Sequence, residues 1–269
     1  DGLQCTGDTL RTSRHYANVM YNIMRGGIID QDYTLEKADF IPYVRNGNRQ
    51  VFERQAAWLE QLPEAFSLFD LRMWAGEKAD ADLKRLCHEY LPLKFSRRHG
   101  DPSRPWNKFS INTQRETDGS KILDYQGNWR DIFQNWEALA HSYPEYIDNI
   151  IHKFLNASTA DGYNPYRITK DGIDWEVVEP EDPWSFIGYW GDHQVIYLLK
   201  FLEFSEDYFP GRLLQYWDEE VLVYANVPYR IRPYEALLKN PKDTIDFDAG
   251  LDRELRERRT QLGADGALI

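Results

Sequence analysis

The stretch Asp124 to Leu139, DYQGNWRDIFQNWEAL, holds the densest set of side chains able to bind or cleave a polar substrate. Trp129, Ile132, Phe133, Trp136, Leu139, Ala140 and Tyr143 step by three and four, which predicts one apolar face of a helix. Asp131, Gln134, Asn135 and Ala138 form a second stripe. A solvated stripe ordinarily carries Lys, Glu or Arg. Asp, Gln and Asn are short groups that grip hydroxyls. Asn128 stands where a helix N-cap belongs. Asp131 has two readings. It is three residues past Asn128, the place of an acidic capping-box partner, and it is also a carboxyl placed to meet a substrate. The second reading carries a tension. A helix N-terminus stabilises the ionised carboxylate, whereas a general acid must keep its proton. Desolvation by Trp129 and neighbouring aromatics, or a substrate oxygen, has to outweigh the dipole.

The composition agrees with a hydroxyl-rich ligand. The 269 residues include 9 Trp and 17 Tyr, whose flat apolar faces and polar edges match the two-sided character of sugars. The same rings serve equally as core. Asp and Glu number 44 against 32 Lys and Arg, a net charge of −12. That balance excludes a general nucleic-acid binder and a partner of anionic membrane surfaces. No run approaches the ~18 apolar residues of a spanning helix, so the chain reads as soluble, with its compartment unfixed. Cys5 and Cys87 make no framework, and no His or carboxylate spacing suggests a metal. No cofactor fingerprint is present. Asn156-Ala157-Ser158 is a lone glycosylation-type pattern. The chain starts at Asp1 without Met or a signal pattern, which predicts processing or a piece of a longer protein.

The elements that must position these residues read as helices joined by long loops. Helices are expected over about 8–25 (closed by Gly26-Gly27), 50–61, 64–75, 80–90, 129–142, 144–156, 192–204, 205–216, 230–239 and 249–262. Residues 28–49 read as loop because of Pro42 and Asn46-Gly47-Asn48. Residues 90–127 read as a long insert, ordered by Phe95, Trp106, Phe109 and Tyr125. A two-stranded excursion is expected at Tyr166–Ile168 and Trp175–Val178. VIYLLKFLEF is apolar nearly all round and predicts a helix buried on most sides, whereas 249–262 is charged on most faces and predicts exposure.

The run Gly127-Asn128-Trp129-Arg130-Asp131-Ile132-Phe133-Gln134-Asn135-Trp136-Glu137-Ala138-Leu139 resembles the G-[FY]-R-D-x-x-Q-D-x-x-A-L helix of the cellobiose and chitobiose phosphorylase family of glycoside hydrolases. These are six-hairpin glycosidases. Weaker similarity extends over Asn18–Arg25, Asp161-Gly162-Tyr163-Asn164-Pro165 and Trp190-Gly191-Asp192-His193-Gln194. The resemblance implies an all-α, (α/α)6-barrel-like toroid over a single domain 1–269, partial because a full barrel needs about a dozen helices. It implies that Asp131 is the general acid, with Trp129, Arg130, Gln134, Asn135, Asp192 and His193 near the substrate. Asp192 is equally a natural N-cap. Asn135 stands where the family has a second Asp, Tyr90–Asn107 has no counterpart, and the family's phosphate-binding residues have no match. These departures predict a divergent, truncated branch.

Within the insert, Arg97, Arg98, His99, Asp101 and Arg104 crowd together. They either bind an anion or pin the loop to the surplus carboxylates. The expected activity is cleavage of a glycosidic bond of an oligosaccharide with inversion. Asp131 protonates the leaving oxygen, and water or inorganic phosphate, a possible co-substrate, attacks. Asp174, Glu176 and Asp192 are the candidates for a base. Trp129, Trp136, Trp175, Trp184 and Trp190 are the candidate sugar platforms. The competing readings are a carbohydrate-binding or scaffold domain that keeps the barrel without its chemistry, and an inactive fragment. Partners expected besides the oligosaccharide are the remainder of the chain or a second copy.

Overall fold

The computed structural model describes residues 9–10, 12–17, 28–94, 114–175, 177–182, 185 and 195–269. The side chains of Arg130 and Asp131 lie outside that description.

The first unit closes on itself. Strand β1 (Ile28–Ile29) pairs antiparallel with β4 (Leu93–Lys94), placing Ile28 opposite Lys94, so the two ends of residues 28–94 meet. Inside this clasp, β2 (Thr34–Glu36) pairs with β3 (Ala65–Ser67). Helices α1 (Lys37–Gly47), α2 (Arg49–Arg54) and α3 (Ala56–Gln61) fill the connection. Two more, α4 (Leu68–Gly76) and α5 (Ala81–Glu89), lead back to β4. The stop signals are local. Ser67 and Asp70 form a reciprocal capping box on α4, and the Asp80 carboxylate accepts from the Leu83 N–H at 3.1 Å to start α5.

The second unit starts with β5 (Gln126–Asn128), which runs into α6 (Trp129–Ser142). After a 3-10 turn at Pro144–Tyr146, α7 (Ile147–Asn156) returns beside α6. Strands β6 (Arg167–Thr169) and β7 (Ile173–Asp174) complete a three-stranded antiparallel sheet in the order β5-β6-β7. Helix α8 (Val195–Tyr208) lies against α6 and α7. Strand β8 (Tyr229–Ile231), α9 (Tyr234–Lys239) and β9 (Ile245–Phe247) follow, with β8 and β9 paired. The chain closes with α10 (Ala249–Leu262) and a 3-10 turn at Ala264–Ala267.

The expected all-α, (α/α)6 toroid is therefore overturned. Among the described residues nine short strands form four small antiparallel sheets between the helices. Strands of two or three residues are too short to show a period of two, so they vanish inside segments that read as loop. Residues 28–49 are the clearest case, because they hold β1, β2 and α1. Pro42 sits inside α1 and removes one backbone hydrogen bond, yet the helix continues because Phe40, Tyr43 and Val44 are buried on one side of it. The 50–61 helix is two helices broken at Gln55, and residues 65–67 form a strand where helix was expected. Asn48 ends α1 and starts α2, its side chain accepting from the Val51 N–H at 3.1 Å. The segment 205–216 is the end of α8 and a separate 3-10 turn at Arg212–Tyr216. Helix α8 is also less buried than its composition implies, since Val195, Ile196 and Leu199 are exposed. Helices 129–142 and 249–262 fall where the periodicity puts them, and 144–156 is a 3-10 turn followed by α7.

Core aromatics concentrate on the α6–α7 hairpin. Trp129 and Phe154 meet edge to face at 5.1 Å, Phe133 and Trp136 at 5.0 Å, and Tyr125 and Trp136 at 5.4 Å. Asn156 is buried, and its amide donates to Glu89 at 2.7 Å, which removes it as a glycosylation acceptor. Between α5 and α7, His88 and His152 stack at 4.9 Å. Burial, and then the neighbouring His152, pushes His88 down to about 3, and burial lowers His152 as well. Both folded values lie below the unfolded value of about 6.5. The unfolded chain thus binds more protons, and stability is lost as pH falls from about 6.5 toward 3. The urea midpoint should drop between pH 7 and pH 5, and His88→Phe should make that drop shallower; equal slopes in the two proteins would contradict the assignment.

Gly263 ends α10 with φ of +100°, and a Cβ there would lie 2.2 Å from the Asn46 carbonyl oxygen. Backbone cannot yield as a side chain would. Gly263→Ala should cost roughly 2–6 kcal/mol in chemical denaturation.

Candidate functional site

The small sheet β5-β6-β7 organises the site, with a polar cavity at each end. At one end Asn128, Arg167 and Asp174 form a row across the three strands. With strands about 4.8 Å apart, the first and last Cα atoms of that row are about 10 Å apart. Arg167 donates from Nε to Asp174 Oδ2 at 2.9 Å. Arg259 reaches Asp174 Oδ1 from α10 at 3.4 Å. Directly after β7, Trp175 donates its indole N–H to Asp252 at 2.7 Å, and Arg256 holds the other Asp252 oxygen at 2.8 Å. Burial raises Asp252, but the bonds from Arg256 and Trp175 outweigh it and leave the carboxyl below the usual range. The guanidinium carbons of Arg256 and Arg259 lie 5.8 and 5.3 Å from the Trp175 ring centre. Tyr166, Arg167, Asp174, Trp175, Arg256 and Arg259 line a cavity of about 380 Å³ here.

At the other end, the β6–β7 turn carries Lys170 and Asp171 into a cavity of about 630 Å³ shared with Asp39, Asn46, Lys121 and Asp124. Lys170 donates to Asp39 at 2.5 Å and to the Leu123 carbonyl at 2.9 Å. Asn46 donates to Asp171 at 3.2 Å. Desolvation holds Asp124 and Asp171 above the usual carboxylate range, against the pull of Lys170 on both and of Lys153 on Asp171. Asp252, behind the wall of the first cavity, is thus held in its ionised form, while the second cavity is lined by carboxyls that keep a proton more readily, the property of a general acid.

The residues nominated from sequence separate under this geometry. Asp131 is the third residue of α6, three positions past the Asn128 end of the row, while its side chain and that of Arg130 lie outside the described residues. Asn128 does not cap α6 with its side chain. It belongs to the β5 ladder, opposite Arg167, and its backbone is committed there. Trp129 and Trp136 are fully buried, so their rings are core and present no face to a ligand. Gln134 is exposed and Asn135 buried, so the short polar stripe is split between two environments. Asp174 and Trp175 do meet, in the first cavity. Arg97, Arg98, His99, Glu176, Trp184, Trp190, Asp192 and His193 lie outside the described residues.

Sequence reasoning missed Arg167, Asp252, Arg256 and Arg259. The i,i+4 spacing of Asp252 and Arg256 was a legible signal of a pair, but nothing local tied it to Trp175. Helix α10 is not simply an exposed charged rod, because it buries Leu255 and presents Asp252 and Arg259 inward. Among the described residues no cluster of His, Cys, Asp and Glu could hold a metal ion. No helix among them is long and apolar enough to cross a membrane.

Residues 29–92 match the family model of glycoside hydrolase family 149 insertion domain 1. The match coincides with the unit that the β1–β4 clasp closes. It links the chain to a glycoside hydrolase family, and not to the cellobiose and chitobiose phosphorylases in particular. No curated protein matches the chain.

Trp175→Phe keeps a single aromatic ring in place of the indole and deletes the donor to Asp252. It should cost about 1.5 kcal/mol in chemical denaturation; no change would show that the indole bond does not hold the cavity wall.

Proposed function

We propose that this chain belongs to an enzyme that cleaves a glycosidic bond of an oligosaccharide with inversion, with Asp131 as the general acid. The observation that supports it most is the match of residues 29–92 to a glycoside hydrolase insertion domain on the same chain as the Arg130-Asp131-x-x-Gln134 helix. The sheet adds geometry. Helix α6 starts from the strand that pairs with β6 at Arg167, so its first turn follows the Arg167–Asp174 end of the sheet. Tyr166 and the surrounding arginines and carboxylates offer a sugar a ring edge and hydroxyl partners, while Trp175 is buried behind Arg256 and Arg259 as part of the wall. Both carboxylate oxygens of Asp174 are engaged, Oδ2 by Arg167 and Oδ1 by Arg259, so neither is free to meet an attacking water. Its role here is to position Arg167 and Arg259. The nucleophile is then water activated by another carboxylate, or inorganic phosphate, which needs no protein base.

The same pairing of Asp174 favours a second reading, a carbohydrate-binding domain without turnover. A glycan panel separates the two, incubated with and without inorganic phosphate and read by sugar release and sugar 1-phosphate formation. Turnover that falls at least 100-fold in Asp131→Asn supports the acid. Phosphate dependence of that turnover marks phosphorolysis, and its absence marks hydrolysis. Unchanged turnover in the variant overturns the assignment of Asp131, and glycan binding without product supports the second reading.

A further inference from the structure

A third cavity, of about 290 Å³, lies away from the sheet, between α4, α5 and the Arg212–Tyr216 turn. Arg72, Lys84, His88 and Arg212 line it. Three of these four hold a buried nitrogen with no hydrogen-bond partner: Arg72 Nε, His88 Nδ1 and Arg212 Nη1. Buried polar groups are almost always satisfied, and leaving one unmet costs about 1–3 kcal/mol. Two of them are guanidinium N–H groups, which can only donate, and the neutral His88 donates from Nδ1 in the tautomer that carries its proton there; on residues from three elements around one cavity, they suit something that accepts hydrogen bonds.

The charge arrangement narrows the occupant. Arg212 is matched by Glu145 at 2.7 Å and Asp148 at 3.2 Å. Lys84 is matched by Glu219 at 2.9 Å. Arg72 bonds only neutral acceptors, the Glu145 carbonyl at 2.7 Å and the Asn149 amide oxygen at 2.6 Å, and has no carboxylate partner among the described residues. Across the group three cations face three carboxylates, but the carboxylates are committed to Arg212 and Lys84. Arg72 is the one of these three cations without an ion pair of its own among the described residues. The walls are also stiff. Asn149 is fully buried and fixes Arg72, Arg212 lies over the Phe209 ring at 3.9 Å, and His88 is clamped between His152 and Tyr216. Unmet N–H groups on two separate guanidiniums, Arg72 Nε and Arg212 Nη1, fit an oxyanion better than a neutral hydroxyl.

We propose that this cavity binds a phosphate-type oxyanion, held by Arg72, Arg212 and His88. The site is independent of the reading of α6, since none of its residues belongs to that helix or to the sheet. The oxyanion is either free inorganic phosphate or the phosphate group of a small ester, and both present the same acceptors.

The test is binding by the full chain, with no activity required. Inorganic phosphate is titrated calorimetrically at constant ionic strength, with chloride as control and glucose 6-phosphate as the ester arm. In parallel the His88 ring signal is followed by NMR. Saturable phosphate binding that shifts the His88 signal and weakens at least tenfold in Arg72→Gln supports the site. Lys84→Gln, at the rim, should weaken it less and guards against misfolding of the Arg72 variant. Tighter binding of the ester than of phosphate assigns the second source, and the reverse assigns the first. No saturable phosphate or ester binding, equal response to chloride, or equal affinity in Arg72→Gln overturns the proposal.

Discussion

Arg85 lies almost fully out of water on α5, with one arm of its guanidinium on Glu89 at 2.9 Å and the other on Asp265. Asp265 also accepts from the Asn48 amide at 2.8 Å, and Glu89 accepts from the Asn156 amide at 2.7 Å. Lys153 approaches Glu89 at 4.0 Å and donates to the Lys170 carbonyl at 2.9 Å. This network joins α1, α2, α5, α7 and the terminal 3-10 turn. Each member depends on the others, because a buried charge that loses its partner costs about 3–5 kcal/mol. The 28–94 unit is therefore tied by ionic contacts to chain distant in sequence.

The tie has geometric consequences. Asp265 reaches Arg85 only because Gly263 turns the chain back at a positive φ, against the Asn46 and Gly47 carbonyls where no side chain fits. Arg49 adds bonds to the Thr260 and Gln261 carbonyls at the end of α10. Helix α10 is thus pinned at its C-terminal end by the 28–94 unit, while Asp252, Arg256 and Arg259 along its length build the wall around Trp175. The same unit supplies Asp39 and Asn46 to the cavity at the other end of the sheet. Both sheet-end cavities consequently depend on how the 28–94 unit is seated.

The chain's net charge of −12 conceals this local order. Its arginines are grouped at contacts where they neutralise particular carboxylates: Asp174, Asp252, Asp265 and Asp148. Arg72 departs from that pattern, meeting only neutral acceptors among the described residues.

The sequence determined the elements whose instructions are local. The three-and-four spacing from Trp129 places α6 and its apolar face, Pro144 marks the turn into α7, and Asp80 and Ser67 carry caps that α5 and α4 use. Strand β6 was legible to within a residue. The tertiary structure decided everything that needs two distant segments. Pro42 is tolerated in a helix only because Phe40, Tyr43 and Val44 find a core. Trp129 and Trp136 carry the chemistry of a sugar platform in sequence, and packing against Phe154, Phe133 and Tyr125 makes them core instead. Asp174 reads as a free carboxylate until β6 and α10 bring Arg167 and Arg259 to it, the second from 85 positions away. Periodicity and capping act over a few residues and are written in the chain, whereas ion pairing and burial depend on which surfaces meet, and only the folded arrangement fixes that.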